Sequence, residues 1–563
     1  MSRLRPSRST GVTRADRMRR TEIPAYDPNL VRPATREETL PVGIGAVAVG
    51  FIALVVCVLH GYLLLYGDAV SHLGIARRIV DSRNAGLGQL GGVWLPLPHL
   101  LMTPFVGKME WWQNGMAGAW PSLLFYVLGV MGFYRLTRRM MTPRWAFAAT
   151  LFYGLNPNLL YLSTTAMTEP LFLALLIWMV LLTMECIAAI DAGQQRLVRR
   201  RLVWIGLLIF CAVMTRYDGW ILGAAVWCIL AYKLFKRPAL RVKVTSTFAI
   251  LTVLAIAGPL LWFWYNQHFE HDWLDFMRGP YSAVAIDKRT TPPGAQHYRG
   301  WHNIGWATIF YTRTAQVDAA AWETGFLLMA AALTGLWSTL RKRLELASTL
   351  LWLPLPFYIY SVAYGSVPIF IPQLYPHSFY NSRYGMELLP ALAVFAFVAV
   401  EWLQSKLTEP RPLIARLMPQ IALALIVLNS VAMMYRVPLV LQEGKQNSIT
   451  RVAFESSIAK QLDGLTPGMP ILIQNSNHIG ALQTAGIPLK QTVGESDWDS
   501  WSRALSAPAE HAAFVVSIGD DEVAKAVAAH PEGLTELTVL CTSGQGCARF
   551  YRSDKFGAAV ARP

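Results

Sequence analysis

Carboxylates, guanidiniums and aromatic rings recur in this sequence in short stretches between long apolar runs, a combination suited to a sugar phosphate. A carboxylate takes up a proton, a guanidinium forks onto phosphate, and rings stack on the apolar face of a sugar. The first stretch is Tyr66-Gly67-Asp68-Ala69-Val70-Ser71-His72. At helical spacing residues 68, 72, 75, 76 and 79 share one face, so Asp68 is expected at the mouth of a membrane cavity with His72 one turn below it. The competing role for Asp68 is a helix N-cap. Trp94 and His99 stand in an apolar, proline-punctuated segment suited to a helix in the membrane interface, either lining a sugar site or acting as interfacial anchors. Glu169, between Thr168 and Pro170, falls where an N-cap acid belongs, with Pro170 at the first helical position, and is equally placed to bind substrate.

Further candidates follow downstream. Only 34 residues, from Leu202 to Phe235, must make two passes, so the turn Thr215-Arg216-Tyr217-Asp218-Gly219-Trp220 should sink below the interface. Charges at that depth face a polar cavity: Arg216 and Asp218 pair with each other, or Arg216 holds a lipid phosphate. In Tyr380-Asn381-Ser382-Arg383-Tyr384-Gly385, Arg383 either snorkels to headgroups or joins its flanking rings in a sugar-phosphate site. His268, His271, Asp272 and Asp275, at i, i+3, i+4 and i+7, could hold a divalent cation or form the polar face of an interfacial helix.

The elements that must position these residues are membrane helices. The chain has 563 residues, 54% hydrophobic and 15% charged, against roughly a quarter charged in soluble domains. About 20 apolar residues are needed per helical span, and such runs recur at 41–66, 115–136, 144–164, 170–190, 202–215, 219–235, 244–266, 321–340, 347–364, 384–403 and 417–435. The fold expected is therefore a polytopic α-helical membrane protein of about eleven spans. Its excess of 50 Lys and Arg over 35 Asp and Glu lies in a basic tail at 1–40 and in alternate connections, 135–139, 196–201, 233–243, 341–343 and 406–416. That pattern marks cytoplasmic loops rather than a nucleic-acid partner. The N-terminal tail is expected to be disordered and cytoplasmic, and the outer loops 67–114 and 267–320 carry the unusual polar residues.

Past residue 435 the composition shifts, and 436–563 reads as a small extracytoplasmic α/β domain: helical periodicity at 451–462, strand-like runs at 470–474 and 512–518, and a helix at 522–530. It has no glycine-rich phosphate loop, which speaks against a nucleotide site. Of six cysteines, Cys57, Cys186, Cys211 and Cys228 lie within spans. Cys541 and Cys547 bracket a short loop on the side where a disulfide can form; their spacing also fits half a metal site.

Together these elements resemble the multi-spanning glycosyltransferases of the GT-C superfamily, in the group of protein O-mannosyltransferases and lipid A aminoarabinose transferases. Asp68 matches that group's catalytic acid, and the motifs at 168–170, 215–220 and 381–385 look like its outward-facing motifs. The resemblance implies an inverting transfer from a polyprenyl-phosphate-linked sugar to a lipid, glycan or protein acceptor at the non-cytoplasmic face of the cell membrane. On that reading Asp68 is the general base, and His72, Glu169, Arg216, Asp218, Arg383 and Tyr384 bind substrate. The mannosyltransferases carry Glu directly after the catalytic Asp; here Ala69 follows, so no role passes to a second acid. The C-terminal domain matches neither relative. Two rivals share the many spans: a lipid or solute transporter or flippase, which would spread charges across the midplane and both faces, and a non-enzymatic envelope assembly protein.

Overall fold

The computed structural model of the chain describes residues 31–291 and 294–556. Helix α1 (Arg36–Leu59) opens on a capping box in which Thr35 and Glu38 accept from each other's amides. It therefore starts within the stretch expected to be a disordered tail; residues 1–30 of that stretch lie outside the described residues. After Gly61, at a φ of 68°, the chain runs without helix to α2 (Gly67–Val80). α3 (Leu97–Val106) and α4 (Met116–Thr137) follow. The segment expected as a single span at 144–164 is broken. Asn156 caps a new turn and Pro157 has no amide to donate back, leaving α5 (Pro143–Gly154) and α6 (Pro157–Leu162).

Next come α7 (Glu169–Asp191), α8 (Gln195–Val213), α9 (Asp218–Phe235), α10 (Pro238–Phe269), α11 (Ile304–Ala319) and α12 (Thr324–Lys342). α13 (Pro354–Tyr364), α14 (Leu389–Leu407), α15 (Pro412–Tyr435) and α16 (Leu439–Asp463) complete the bundle. Each of the eleven expected segments holds helix. Among the described residues eight helical stretches are long and apolar enough to cross a membrane, or nine if α11 and α12, bent by 103°, form one broken span. α5 has only 12 residues, and α8 carries Arg196, Arg199, Arg200 and Arg201 in its first two turns. The chain is a multi-pass membrane protein.

α7 is apolar on every side and buried almost throughout, as the central helix of a bundle should be, whereas α10 turns Val253, Leu260 and Trp264 outward. α12 and α14 touch at Gly335, where a methyl group would meet the Phe395 carbonyl oxygen at 1.8 Å; only glycine permits that approach. Ion pairs gather the basic connections at one end of the bundle: Arg138 with Glu38, Arg139 with Glu345, and Arg135 and Arg201 with Glu185.

The C-terminal domain is one five-stranded sheet in the order β2-β1-β3-β5-β4, formed by β1 (Ile471–Ile473), β2 (Thr492–Val493), β3 (Phe514–Ile518), β4 (Leu534–Cys541) and β5 (Cys547–Ser553). β2, β1 and β3 are parallel, and β5 and β4 add on antiparallel. The helices α17 (Asn475–Ala485) and α18 (Glu522–Ala529) follow β1 and β3. Cys541 and Cys547 face each other in register and are joined as a disulfide. The domain docks on the segment between α2 and α4: Gln483 donates to the Trp112 carbonyl, Arg83 to that of Thr492 and Gln89 to that of Ser496.

Candidate active site

Opposite the basic end, several chain segments converge. Asp68 is the second residue of α2; Tyr66 occupies the N-cap and its side chain makes no cap bond, so Asp68 does not serve as the N-cap. Its carboxylate, 40% exposed, instead accepts from Arg383 Nη2 at 2.5 Å. His72 lies a turn along α2 and is buried, with its Nδ1 2.8 Å from His99 Nε2 and its ring 4.4 Å from that of Trp94. Burial first, then the charges of Arg383 and Arg216, push His72 down to about 3, and burial lowers His99 as well, so both rings are neutral. His99 is thus a buried partner of His72 rather than an interfacial anchor.

The N-cap of α7 is Thr168, one residue earlier than the sequence pattern suggests, and Glu169 is the first helical residue with Pro170 second. Fully buried, Glu169 Oε1 lies 3.1 Å from Arg383 Nε and 3.3 Å from Arg216 Nη1. Arg216 sits in the short turn between α8 and α9. It does pair with Asp218, at 3.5 Å, but it also lies 3.3 Å from Glu387 and donates to Thr168 Oγ1 at 2.8 Å and to the Tyr358 hydroxyl at 2.6 Å. The Tyr358 hydroxyl in turn donates to Asp218 at 3.2 Å.

Arg383 belongs to the turn Ser382–Leu388 that leads into α14. Its guanidinium stands over the rings of Tyr66, at 5.4 Å, and Tyr384, at 4.9 Å; Tyr384 also lies 5.3 Å from the Arg216 guanidinium. Arg383 is buried, not snorkelled. Glu443 of α16 lies 3.9 Å from it and accepts from the Asn381 amide, the Ser382 amide and the Ser382 hydroxyl. Asp68, Glu169, Asp218, Glu387 and Glu443 therefore surround Arg216 and Arg383, five carboxyl groups about two guanidiniums. Both oxygens of Glu387 and Glu169 Oε2 have no hydrogen-bond partner among the described residues. Beside Thr168 a small groove lies between α3, α4 and α7, lined by Pro98, Met102, Pro121, Phe125, Met167 and Leu171.

Of the sequence candidates, Asp68, Glu169, Arg216, Asp218, Arg383 and Tyr384 come together, and His72 lies behind them with His99. Glu387, Glu443 and Tyr358 were missed. An acid inside an apolar run is a signal in itself, and Glu387 stands in one; Glu443 and Tyr358 carry no local mark. The cation site at 268–275 does not form. α10 ends at Phe269, His271 takes a φ of 61°, and Asp272 turns to Arg278 at 2.7 Å, so the spacing has no continuous helix to act on. No group of three or more His, Cys, Asp and Glu could hold a metal among the described residues.

No protein-family model matches the chain. It is 25% identical over 361 residues to undecaprenyl phosphate-alpha-4-amino-4-deoxy-L-arabinose arabinosyl transferase 2 of Proteus mirabilis, covering 61% of this chain and 60% of that protein. To an undecaprenyl phosphate-alpha-4-amino-4-deoxy-L-arabinose arabinosyl transferase of Pseudomonas aeruginosa it is 27% identical over 322 residues, 53% of each. The chain thus spans between half and three-fifths of the length of the relatives it matches. The crystal structure of ArnT from Cupriavidus metallidurans, bound to undecaprenyl phosphate, superposes with a TM-score of 0.51 at 15% identity, over 91% of this chain and 99% of that one. The chain has the fold of that transferase. The likeness extends past the helical bundle, since 91% coverage of 563 residues must include much of the C-terminal segment that completes the site through Glu443.

Proposed function

We propose that the chain is a membrane glycosyltransferase that moves a sugar from a polyprenyl phosphate to an acceptor hydroxyl or similar nucleophile, with inversion. The observation that carries this reading is the Asp68–Arg383 pair, a half-open carboxylate beside a buried guanidinium flanked by Tyr66 and Tyr384. The relatives named for undecaprenyl phosphate-linked aminoarabinose support the donor class. The acceptor oxygen attacks the anomeric carbon while its bond to phosphate breaks. The polyprenyl phosphate leaves with the electron pair, and the acceptor proton passes to Asp68. Arg383 and Arg216 face the charge growing on the leaving phosphate, in a site from which water is largely excluded. Asp68 is the most exposed of Arg383's partners, so an incoming phosphate displaces it most easily and leaves its oxygens free for the acceptor.

The site, the loops 67–114 and 267–320 and the domain 436–563 face away from the cytoplasm on this reading, because the basic connections occupy the other end. The test uses Asp68→Asn, which keeps the shape and removes the proton acceptor. In nanodiscs with synthetic undecaprenyl phosphate-linked sugars and lipid A as the acceptor, release of undecaprenyl phosphate should fall by about 10² to 10⁴. Near-normal release by the folded variant ends the general-base assignment.

A further inference from the structure

Asp68 and Arg383 lie 315 residues apart, on two segments with no helix in common. α16 touches both. Its residues 440, 443, 444, 447, 451 and 455 recur at helical spacing on one face and so form one stripe about 22 Å long at 1.5 Å per residue. At one end the Val440 carbonyl accepts from the Tyr66 hydroxyl at 2.9 Å, and Glu443 holds the Asn381 and Ser382 amides. Gly444 sits where a methyl group would come within 3.3 Å of Leu65 and Tyr66, and Asn447 donates to the Phe379 carbonyl at 3.2 Å. At the other end Arg451 Nη2 donates to the carbonyls of Leu64, at 2.9 Å, and Leu65, at 3.1 Å, while Glu455 fixes its Nη1 at 2.6 Å.

The Leu64 and Leu65 carbonyls lie past the end of α1 and before α2, where no helix supplies a partner. An arginine reaching them fixes the backbone three residues ahead of Asp68. We propose that α16 is a splint across the reaction centre and that Arg451, oriented by Glu455, is a positioning residue for Asp68. It acts through the Leu64 and Leu65 carbonyls and touches no substrate; the catalytic part of this inference rests on the transferase reading. Because a displacement of about 1 Å can cost on the order of 10²-fold in rate, loosening this contact should slow the chemical step without weakening donor binding.

The experiment compares the full-length chain with Arg451→Ala, Arg451→Lys and Glu455→Gln in nanodiscs. Two readouts are used: release of undecaprenyl phosphate from a synthetic undecaprenyl phosphate-linked aminoarabinose with lipid A supplied as the acceptor, and hydrogen exchange of the amides at 66–70. Arg451→Ala should lower kcat tenfold or more with KM within twofold and speed exchange at 66–70. Arg451→Lys, whose ammonium still reaches a carbonyl, should recover most of both. Where Arg451→Ala does not fold, Glu455→Gln carries the same expectation at smaller size. Unchanged exchange at 66–70 in the folded variants overturns the splint. So does a loss in kcat that tracks lowered thermal stability and is not rescued by lysine. If the wild-type chain releases no undecaprenyl phosphate, the transferase reading is what fails, and the exchange result alone decides whether Arg451 fixes this segment.

Discussion

Arg383→Ala tests whether the acid cluster is an electrical unit. The arginine, 7% exposed, faces Asp68, Glu169 and Glu443, and these three differ in what remains to them once it is gone. Asp68 is 40% exposed and water can replace the guanidinium. Glu443 keeps three donors from Asn381 and Ser382. Glu169, with no exposure, keeps only Arg216, at 3.3 Å, among the described residues. Removing one partner of a buried ion pair costs about 3 to 5 kcal/mol, and the surviving Arg216 contact places this case near the lower end, about 3 kcal/mol. Arg383→Lys retains a charge but not the fork that spans two carboxylates, so it should cost less. The loss comes from a stranded carboxylate, and Glu169→Gln in the Arg383→Ala background should therefore recover about half of it, although Glu169→Gln alone destabilises. The assay is a double-mutant cycle on unfolding midpoints in mixed micelles, followed by tryptophan fluorescence. Strict additivity of the two changes, within about 0.5 kcal/mol, refutes the coupling, as does an Arg383→Ala chain that unfolds like the wild type.

Two buried histidines should each weaken the fold in acid. His72 is held at about 3 and His478 at about 4, chiefly by burial, against about 6.5 in an unfolded chain; below that value the unfolded chain binds protons that the folded one refuses, so stability is full above about 6.5 and falls as the pH drops. Between pH 7.5 and 5 the loss is about 2 kcal/mol for His72 alone, read as the difference in pH dependence between the wild type and His72→Gln, and identical profiles for the two contradict it. The Cys541–Cys547 link closes a loop with a sequence separation of 6, worth about 2 kcal/mol by loop entropy. Mass spectrometry of unreduced protein from its native membrane should find the cross-link, and two alkylatable thiols there count against it. A C-terminal alkaline phosphatase fusion should be active; an active cytoplasm-only reporter at that position reverses the proposed sidedness.

What the sequence discloses here depends on whether the cause is local. Apolar runs of span length announce the helices because lipid leaves no other way to satisfy the backbone, and the fully buried β1 and β3, apolar but for Ser517, stand out as short apolar runs. β4, with most of its residues at least partly exposed, gives no such signal. The break after Gly154 needed only Asn156 and Pro157, both visible in the sequence, yet the apolar run through 144–164 masks it. At the site, the spacing that puts His72 one turn from Asp68 is real, but tertiary packing gives each a different partner, His99 and Arg383. Glu443 lies beyond the last apolar run, in what reads as the start of a separate domain, and only the return of α16 to the bundle makes it part of the centre. A pattern can therefore nominate the residues at the ends of spans, because topology alone sends alternate ends to one side. It cannot say which acid meets which arginine, because that is fixed by how helices hundreds of residues apart in the chain pack together.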